Sequence, residues 1–291
     1  MQLVFHTGAH FSDEGRLFKS LVGNKEAFGR QGISVPGPSR YRRLFKETFA
    51  ALETAPPAPD AAEILIDAIL DDEVAERVVL SSEHFFGTHW SAILGGQFYP
   101  LAAPRMAQLC EIFRGNQIEM FMAIRNPASF IPKVLLSIPD NRRAEIMGAV
   151  DPGELTWSNM IRQIRLMAPG VKLTVWCNED TPLIWGRILR ALAGPGYEGP
   201  LNGEQALLWG LMSRAGIVRL RDYLARNPGL TDHQISDVTL SFLDKYAIDG
   251  ADEEELELPG WDEDAVDVYS ELYNADIDAI EAMSDVTFIA P

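Results

Sequence analysis

The strongest constraint on the fold is a repeat of short apolar runs, each followed by a segment that is apolar at helical spacing. Gln2–His6 (QLVFH) reads as a buried strand, and Leu17, Phe18, Leu21, Val22 and Phe28 mark one face of the following helix. Gly32 ends that helix, and Ile33–Val35 makes a second short strand closed by Pro36, Gly37 and Pro38. Helical patterns follow at 41–53 and 61–70, joined by the proline-rich connection Thr54–Asp60, before a third strand at Arg77–Ser81. Glu119–Arg125 and Val171–Cys177 read as further strands, with helices around 104–114, 128–137 and 154–168. Thr181 is placed to cap a helix through Leu192 that Gly194 stops. Strands that are apolar throughout, alternating with helices, call for a mostly parallel sheet covered on both faces. After Gly194, Pro195 and Gly196 the pattern turns helical at 203–215, 231–247 and 263–283, with Val286–Ile289 as a last edge strand. The expectation is a doubly wound α/β core over 1–196 and a helical, acidic C-terminal extension over 197–291 packed on it.

The composition fits a chain that buries a core: 291 residues, 47% hydrophobic and 23% charged. The net charge of −17 is uneven. Sixteen acids and one base lie between Asp244 and Pro291, so −15 belongs to that end and −2 to residues 1 to 243. Asp249–Glu257 reads as a solvated acidic loop. Nucleic acid is not an expected partner, because phosphate contacts need clustered Lys and Arg. The one local basic run is Arg40, Arg42, Arg43 and Lys46. No stretch of about 18 apolar residues occurs, so no membrane span is expected. The N-terminus lacks the basic and apolar regions of a signal peptide. Cys110 and Cys177 stand far apart, without the spacing of a disulfide framework or a zinc site, which points to a reducing cytoplasm.

The first turn carries the most specific signal. Ligands of doubly wound folds sit beyond the carboxyl ends of the strands, and helix N-termini attract anions. The segment Val4–Leu17 (VFHTGAHFSDEGRL) resembles the bacterial P-loop sulfotransferase family, whose first turn often reads His-Ile-Gly-Thr-His-Lys-Thr-Gly-Thr-Thr-Ser-Leu. His6, Gly8, His10 and Leu17 fall on matching positions. The likeness continues through Asn24–Ala27, Gly32–Ile33, Val35–Gly37, Leu80–Glu83 and Ile124–Pro127, and so spans about the first 180 residues. It implies a P-loop-type sheet and sulfuryl transfer from 3′-phosphoadenosine 5′-phosphosulfate to a hydroxyl or amine of a small-molecule or glycan acceptor. In that reading Gly8 and Ser12 line the turn, and Arg125 with Lys133 hold the nucleotide 3′-phosphate. His10 or Glu83 assists the acceptor.

The chain departs from the family in the turn itself. Phe11 stands where the family has its loop Lys, Asp13 where it has Gly, and Glu14 where it has Thr. Two carboxylates would then face an incoming dianion, and each unit-charge pair at about 4 Å costs roughly 4 kcal/mol at an effective dielectric near 20. The alternative is that Ser12 or Asp13 caps the first helix, with Asp13 and Glu14 complementing its positive end. Lys133 replaces the family's Ser eight residues after Arg125; Arg125 alone also reads as a structural ion pair at a strand end. The arginines after the second strand either supply the missing positive charge, pair with Asp13 and Glu14 to close the mouth, or form a solvated helix face. His6 reads as a hydrogen-bonded scaffold histidine, and no metal site is expected at the His6/His10 pair. Three functions stay open: a diverged sulfotransferase, a non-catalytic member kept for interaction or another ligand, and another nucleotide-dependent transferase such as a kinase. The last lacks the Gly-Lys-Ser/Thr tripeptide.

Overall fold

The computed structural model describes residues 1–148, 150–251, 258–259 and 261–291. In chain order its elements are β1 (Gln2–His6), α1 (Arg16–Val22), α2 (Lys25–Gly29), β2 (Ile33–Ser34), α3 (Pro38–Leu52), α4 (Ala61–Leu70) and β3 (Arg77–Ser81). A short hairpin of β4 (Ile93–Leu94) and β5 (Gln97–Phe98) precedes α5 (Ala102–Ile112), β6 (Gln117–Ile124), α6 (Pro127–Leu136) and α7 (Asp140–Gly148). Then come α8 (Trp157–Met167), β7 (Lys172–Cys177), α9 (Thr181–Ala193), α10 (Leu208–Leu211), α11 (Arg214–Arg226), α12 (Asp232–Tyr246), α13 (Glu263–Glu281) and β8 (Val286–Phe288).

The main sheet has six parallel strands in the order β2-β3-β1-β6-β7-β8. β1 lies inside it, with His6 opposite Ser81 of β3 and Phe121 of β6. The apolar runs are explained by double coverage. In β1, Leu3 and Phe5 enter one core and Val4 the other; in β3, Val78 and Leu80 separate from Val79 in the same way. Period-2 alternation sends successive side chains to opposite faces, so a strand buried on both sides is apolar through its middle, with buried polar residues only where they are paired. Residues of α3, α4, α5, α6, α8 and α13 line the first core, and those of α1, α2 and α9 line the second. Helices on both faces of a parallel sheet make this an α/β architecture of the doubly wound kind.

The amino end of the sheet is tied by a buried ion pair. Arg77 donates two hydrogen bonds to Glu119 (3.1 and 2.7 Å), one to Gln2 Oε1 (2.7 Å) and one to the Leu192 carbonyl at the end of α9 (2.8 Å). The guanidinium therefore joins β3, β1, β6 and α9 at one point.

Beyond residue 196, α13 buries Tyr269, Tyr273 and Ile280 in the first core. β8 pairs in parallel with β7 at the sheet's edge. A third apolar cluster, Leu208, Met212, Ile217 and Leu220, joins α10, α11 and α12, and Ser236 of α12 donates to the Leu183 carbonyl of α9 (3.3 Å). This part departs from the helix expected over 203–215. Met212 leaves helical geometry, Ser213 Oγ accepts from the Gly216 N–H (3.3 Å), and a new helix runs on to Arg226. Gly216 has a packing reason: a Cβ there would lie 2.5 Å from Tyr246 Cβ. Thr181 is the first residue of α9, not its cap; Asp180 precedes it. Of the acidic stretch Asp249–Glu257, residues 252–257 lie outside the described residues. No helix among the described residues is long and apolar enough to cross a membrane. Cys110 and Cys177 are both free thiols.

Removing one partner of a buried ion pair strands the other charge, at a cost of about 3–5 kcal/mol. Glu119→Ala should lower the urea unfolding free energy by that amount, whereas exchanging Arg77 and Glu119 together for apolar residues of similar size should cost far less.

Candidate functional site

The carboxyl edge of β1, β3 and β6 gathers the residues that the sequence singles out. β1 does not stop cleanly at His6. The Thr7 and Ala9 N–H groups continue to bond β6, at the Phe121 and Ala123 carbonyls (2.9 and 3.2 Å). The chain then reverses through four left-handed residues: Gly8 (φ +53), Phe11 (φ +64), Glu14 (φ +50) and Gly15 (φ +75). Gly8 has room for a Cβ, whose nearest neighbour would be Ser12 Oγ at 3.5 Å, so its backbone angle is what calls for glycine. Phe11 and Glu14 hold the same conformation at a cost of about 1–2 kcal/mol each, which the surrounding bonds must offset.

Those bonds come from the protein itself. Asp13 Oδ2 accepts from the Leu17 N–H in the first turn of α1 (3.1 Å), and its carbonyl accepts from the Arg16 N–H (2.8 Å). Glu14 turns outward to Arg16 (2.9 Å). The cap position of α1 is taken by left-handed Gly15 without a side-chain cap bond, so neither Asp13 nor Ser12 is the expected cap. Ser12 donates to the Ala9 carbonyl (2.6 Å). Arg125, almost fully buried at the end of β6, donates through Nη1 to the Phe11 carbonyl and through Nε to Ser129 Oγ (3.0 Å). Asn126 caps α6 by accepting from the Ala128 N–H (2.9 Å), and Pro127 occupies the first helical position. Lys133 is half-buried on α6, one turn beyond Ser129 and so on the same helix face.

Beside the turn lies a cluster of rings. His10 is buried; Tyr99 Oη receives its backbone N–H (2.8 Å) and lies 2.7 Å from its Nδ1. Because that oxygen already accepts the amide, its own proton points to Nδ1, which leaves the imidazole proton on Nε2. Nε2 sits 3.5 Å from Nδ1 of His84, and His84 Nε2 is 3.9 Å from Glu83. His89 packs edge-on against His10 with ring centres 6.1 Å apart. Burial, reinforced by His84 and His89, pushes the His10 pKa down to about 3. His6 stacks on Trp176 and bonds Ser81 Oγ (2.9 Å); burial lowers its pKa against the opposing pull of Asp13. No group of three or more His, Cys, Asp or Glu among the described residues is placed to hold a metal ion.

The fold thus joins Gly8, His10, Ser12 and Arg125 around one turn, and Glu83 reaches them through His84. The basic run does not close that mouth. Arg40 donates to the Ile69 and Leu70 carbonyls (3.3 and 3.2 Å) and pairs with Asp71 (3.2 Å), while Arg43 pairs with Glu47 (3.4 Å). Tyr99 is the site residue that sequence reasoning missed. The signal available was Gly95-Gly96 between Ile93-Leu94 and Gln97-Phe98, a two-residue hairpin turn that delivers Phe98 and Tyr99 to the site.

A histidine whose folded pKa lies below its unfolded value binds fewer protons in the folded state, so its contribution is complete above about pH 6.5 and is lost as pH falls toward 3. His6 acts in the same direction. The unfolding free energy, measured by urea titration at a series of pH values, should drop by a few kcal/mol over that window. His10→Gln should flatten the drop.

No protein-family model, no curated protein and no solved structure matches this chain.

Proposed function

We propose that this chain is a sulfotransferase-like protein of P-loop type whose donor site is closed by its own side chains, so that it binds ligands without transferring a sulfuryl group. The parallel sheet supports the fold reading, because β1 lies inside it and an anion-seeking turn stands at its carboxyl end. The motif residues His6, Gly8, His10, Ser81, Ser82, Arg125 and Asn126 support the family.

One observation carries the loss of transfer. Asp13 holds the Leu17 amide at the start of α1 while Arg125 is turned onto the Phe11 carbonyl. One amide at the helix start, that of Leu17, meets a carboxylate of the chain, and the cation that would hold the 3′-phosphate bonds the Phe11 carbonyl of the turn. Phe11 adds no positive charge. Sulfuryl transfer depends on positioning and charge neutralisation, and this turn supplies neither to 3′-phosphoadenosine 5′-phosphosulfate.

The transfer reading keeps one support, the bonded series Tyr99–His10–His84 that runs from the buried corner to the half-buried Glu83–His84 pair. A base with a pKa of about 3 is a weak proton acceptor at neutral pH. His84 and Glu83, nearer the surface, would have to accept the proton in its place.

Calorimetric titration with 3′-phosphoadenosine 5′-phosphate separates the readings. No heat of binding at millimolar nucleotide is the expected result. Micromolar binding that disappears in Arg125→Ala would restore the transferase reading. The paired change Phe11→Lys with Asp13→Gly should create nucleotide affinity in a chain that had none, since it replaces a blocking carboxylate and supplies the missing cation.

A further inference from the structure

A second concavity opens on the same edge of the sheet, between α3, α5 and the segment after β3, and it has a volume of about 440 Å³. That lies within the range of small-molecule sites, about 300–1,000 Å³. Its wall is built on aromatic rings of the core, of which Phe45, Phe49 and Phe85 show only their edges. Tyr41, Phe45 and Phe49 recur every four residues along α3 and so share one face. Phe85, just after β3, stacks on Tyr41 (6.0 Å) and meets Phe45 edge-on (5.5 Å). The Tyr41 hydroxyl is already satisfied, because it donates to the Ser81 carbonyl and accepts from the Ser81 N–H, both at 2.9 Å. Its ring is fully buried and backs Phe45 and Phe85 from behind.

The rim has the opposite character. Arg42, Arg43, Lys46 and Arg105 line the concavity, and no Asp or Glu among the described residues does. Arg43 is partly neutralised by Glu47. Arg105 is fixed, donating to the Phe85 carbonyl (2.7 Å) with its guanidinium 4.9 Å above the Phe49 ring. Arg42 and Lys46 are exposed on consecutive turns of α3 and have no ion-pair partner among the described residues. A chain of net charge −17 therefore presents a local cationic rim over an apolar hollow. His84 stands at the inner end, 3.5 Å from His10.

We propose that this concavity binds an organic anion with an apolar body, of the acyl- or aryl-carboxylate class. The body lies against Phe45, Phe49 and Phe85, and the carboxylate sits at the rim between Arg42 and Lys46. The aromatic wall selects against small inorganic anions, which have nothing to bury there. The cations select against neutral apolar molecules of the same size. The site goes beyond the binding role proposed above and does not depend on whether the first turn takes a nucleotide: its anchors Arg42, Lys46, Phe45, Phe49 and Phe85 are not Phe11, Asp13 or Arg125, and only His84 borders both.

Three probes test it by calorimetry: decanoate, 1-decanol and acetate. Decanoate should bind saturably and more tightly than 1-decanol, and acetate should give no response. Arg42→Glu combined with Lys46→Glu, both at exposed positions, should weaken decanoate by about tenfold or more through loss and reversal of two rim charges, with little change for 1-decanol. Thr88→Trp, which fills the mouth from another element, should remove decanoate binding while thermal unfolding stays that of the parent. The proposal is overturned if decanoate fails to saturate the protein at millimolar concentration, or if it binds no better than 1-decanol. Undiminished decanoate affinity in the rim variant overturns it too. Nucleotide affinity is scored separately in the same preparations, so a failure there leaves the decanoate result readable.

Discussion

The arrangement rests on the burial of both faces of a parallel sheet. Parallel strands join through crossovers, and each crossover lays a helix on one face or the other. Every strand position must then meet an apolar neighbour, as the split of β1, β3 and β6 between two cores shows. Where the strands end this demand ends too, and the chain can afford polar groups, left-handed residues and turns. The conserved geometry of the fold class thus concentrates chemistry at one edge, where His10, His84, Arg125 and the aromatic concavity are all found.

At that edge the first turn is held by a small set of local bonds. A helix start offers unpaired N–H groups, and something must satisfy them. One of them, the Leu17 amide, is satisfied by a carboxylate of the chain, Asp13. Arg125 reinforces the same conformation from the neighbouring strand by holding the carbonyl of a strained Phe11. These bonds offset the cost of two non-glycine residues with positive φ.

Much of this was legible in the residue order. Continuous apolar runs marked β1, β3, β6 and β7 within one or two residues, because a strand buried on two faces leaves few polar positions to blur the pattern. The helix at Ala61–Leu70 was readable at both ends. The site was partly legible: Gly8, His10, Ser12, Glu83 and Arg125 are gathered at one edge by the strand order alone. What escaped were elements whose signals are short or non-local. The two-residue strands β4 and β5 carry too few positions for alternation to show. α11 is set by the cap at Ser213 and by the fit of Gly216 against Tyr246, a neighbour thirty residues away in sequence.

The chain by itself determined the α/β class, the identity of the main strands and the poverty of positive charge in the first turn, because these follow from periodicity and residue type. Only the tertiary structure decided what each charged or polar group does. It turned Asp13 onto an amide, sent Arg40 to the end of α4 and away from the turn, and brought Tyr99 to His10 across 89 positions of sequence. It also set the aromatic face of α3 against Phe85 to leave a hollow. The physical reason is range: hydrophobic patterning is written along the chain, whereas hydrogen bonds and cavities depend on distances of a few ångströms between segments that meet only after the sheet has closed.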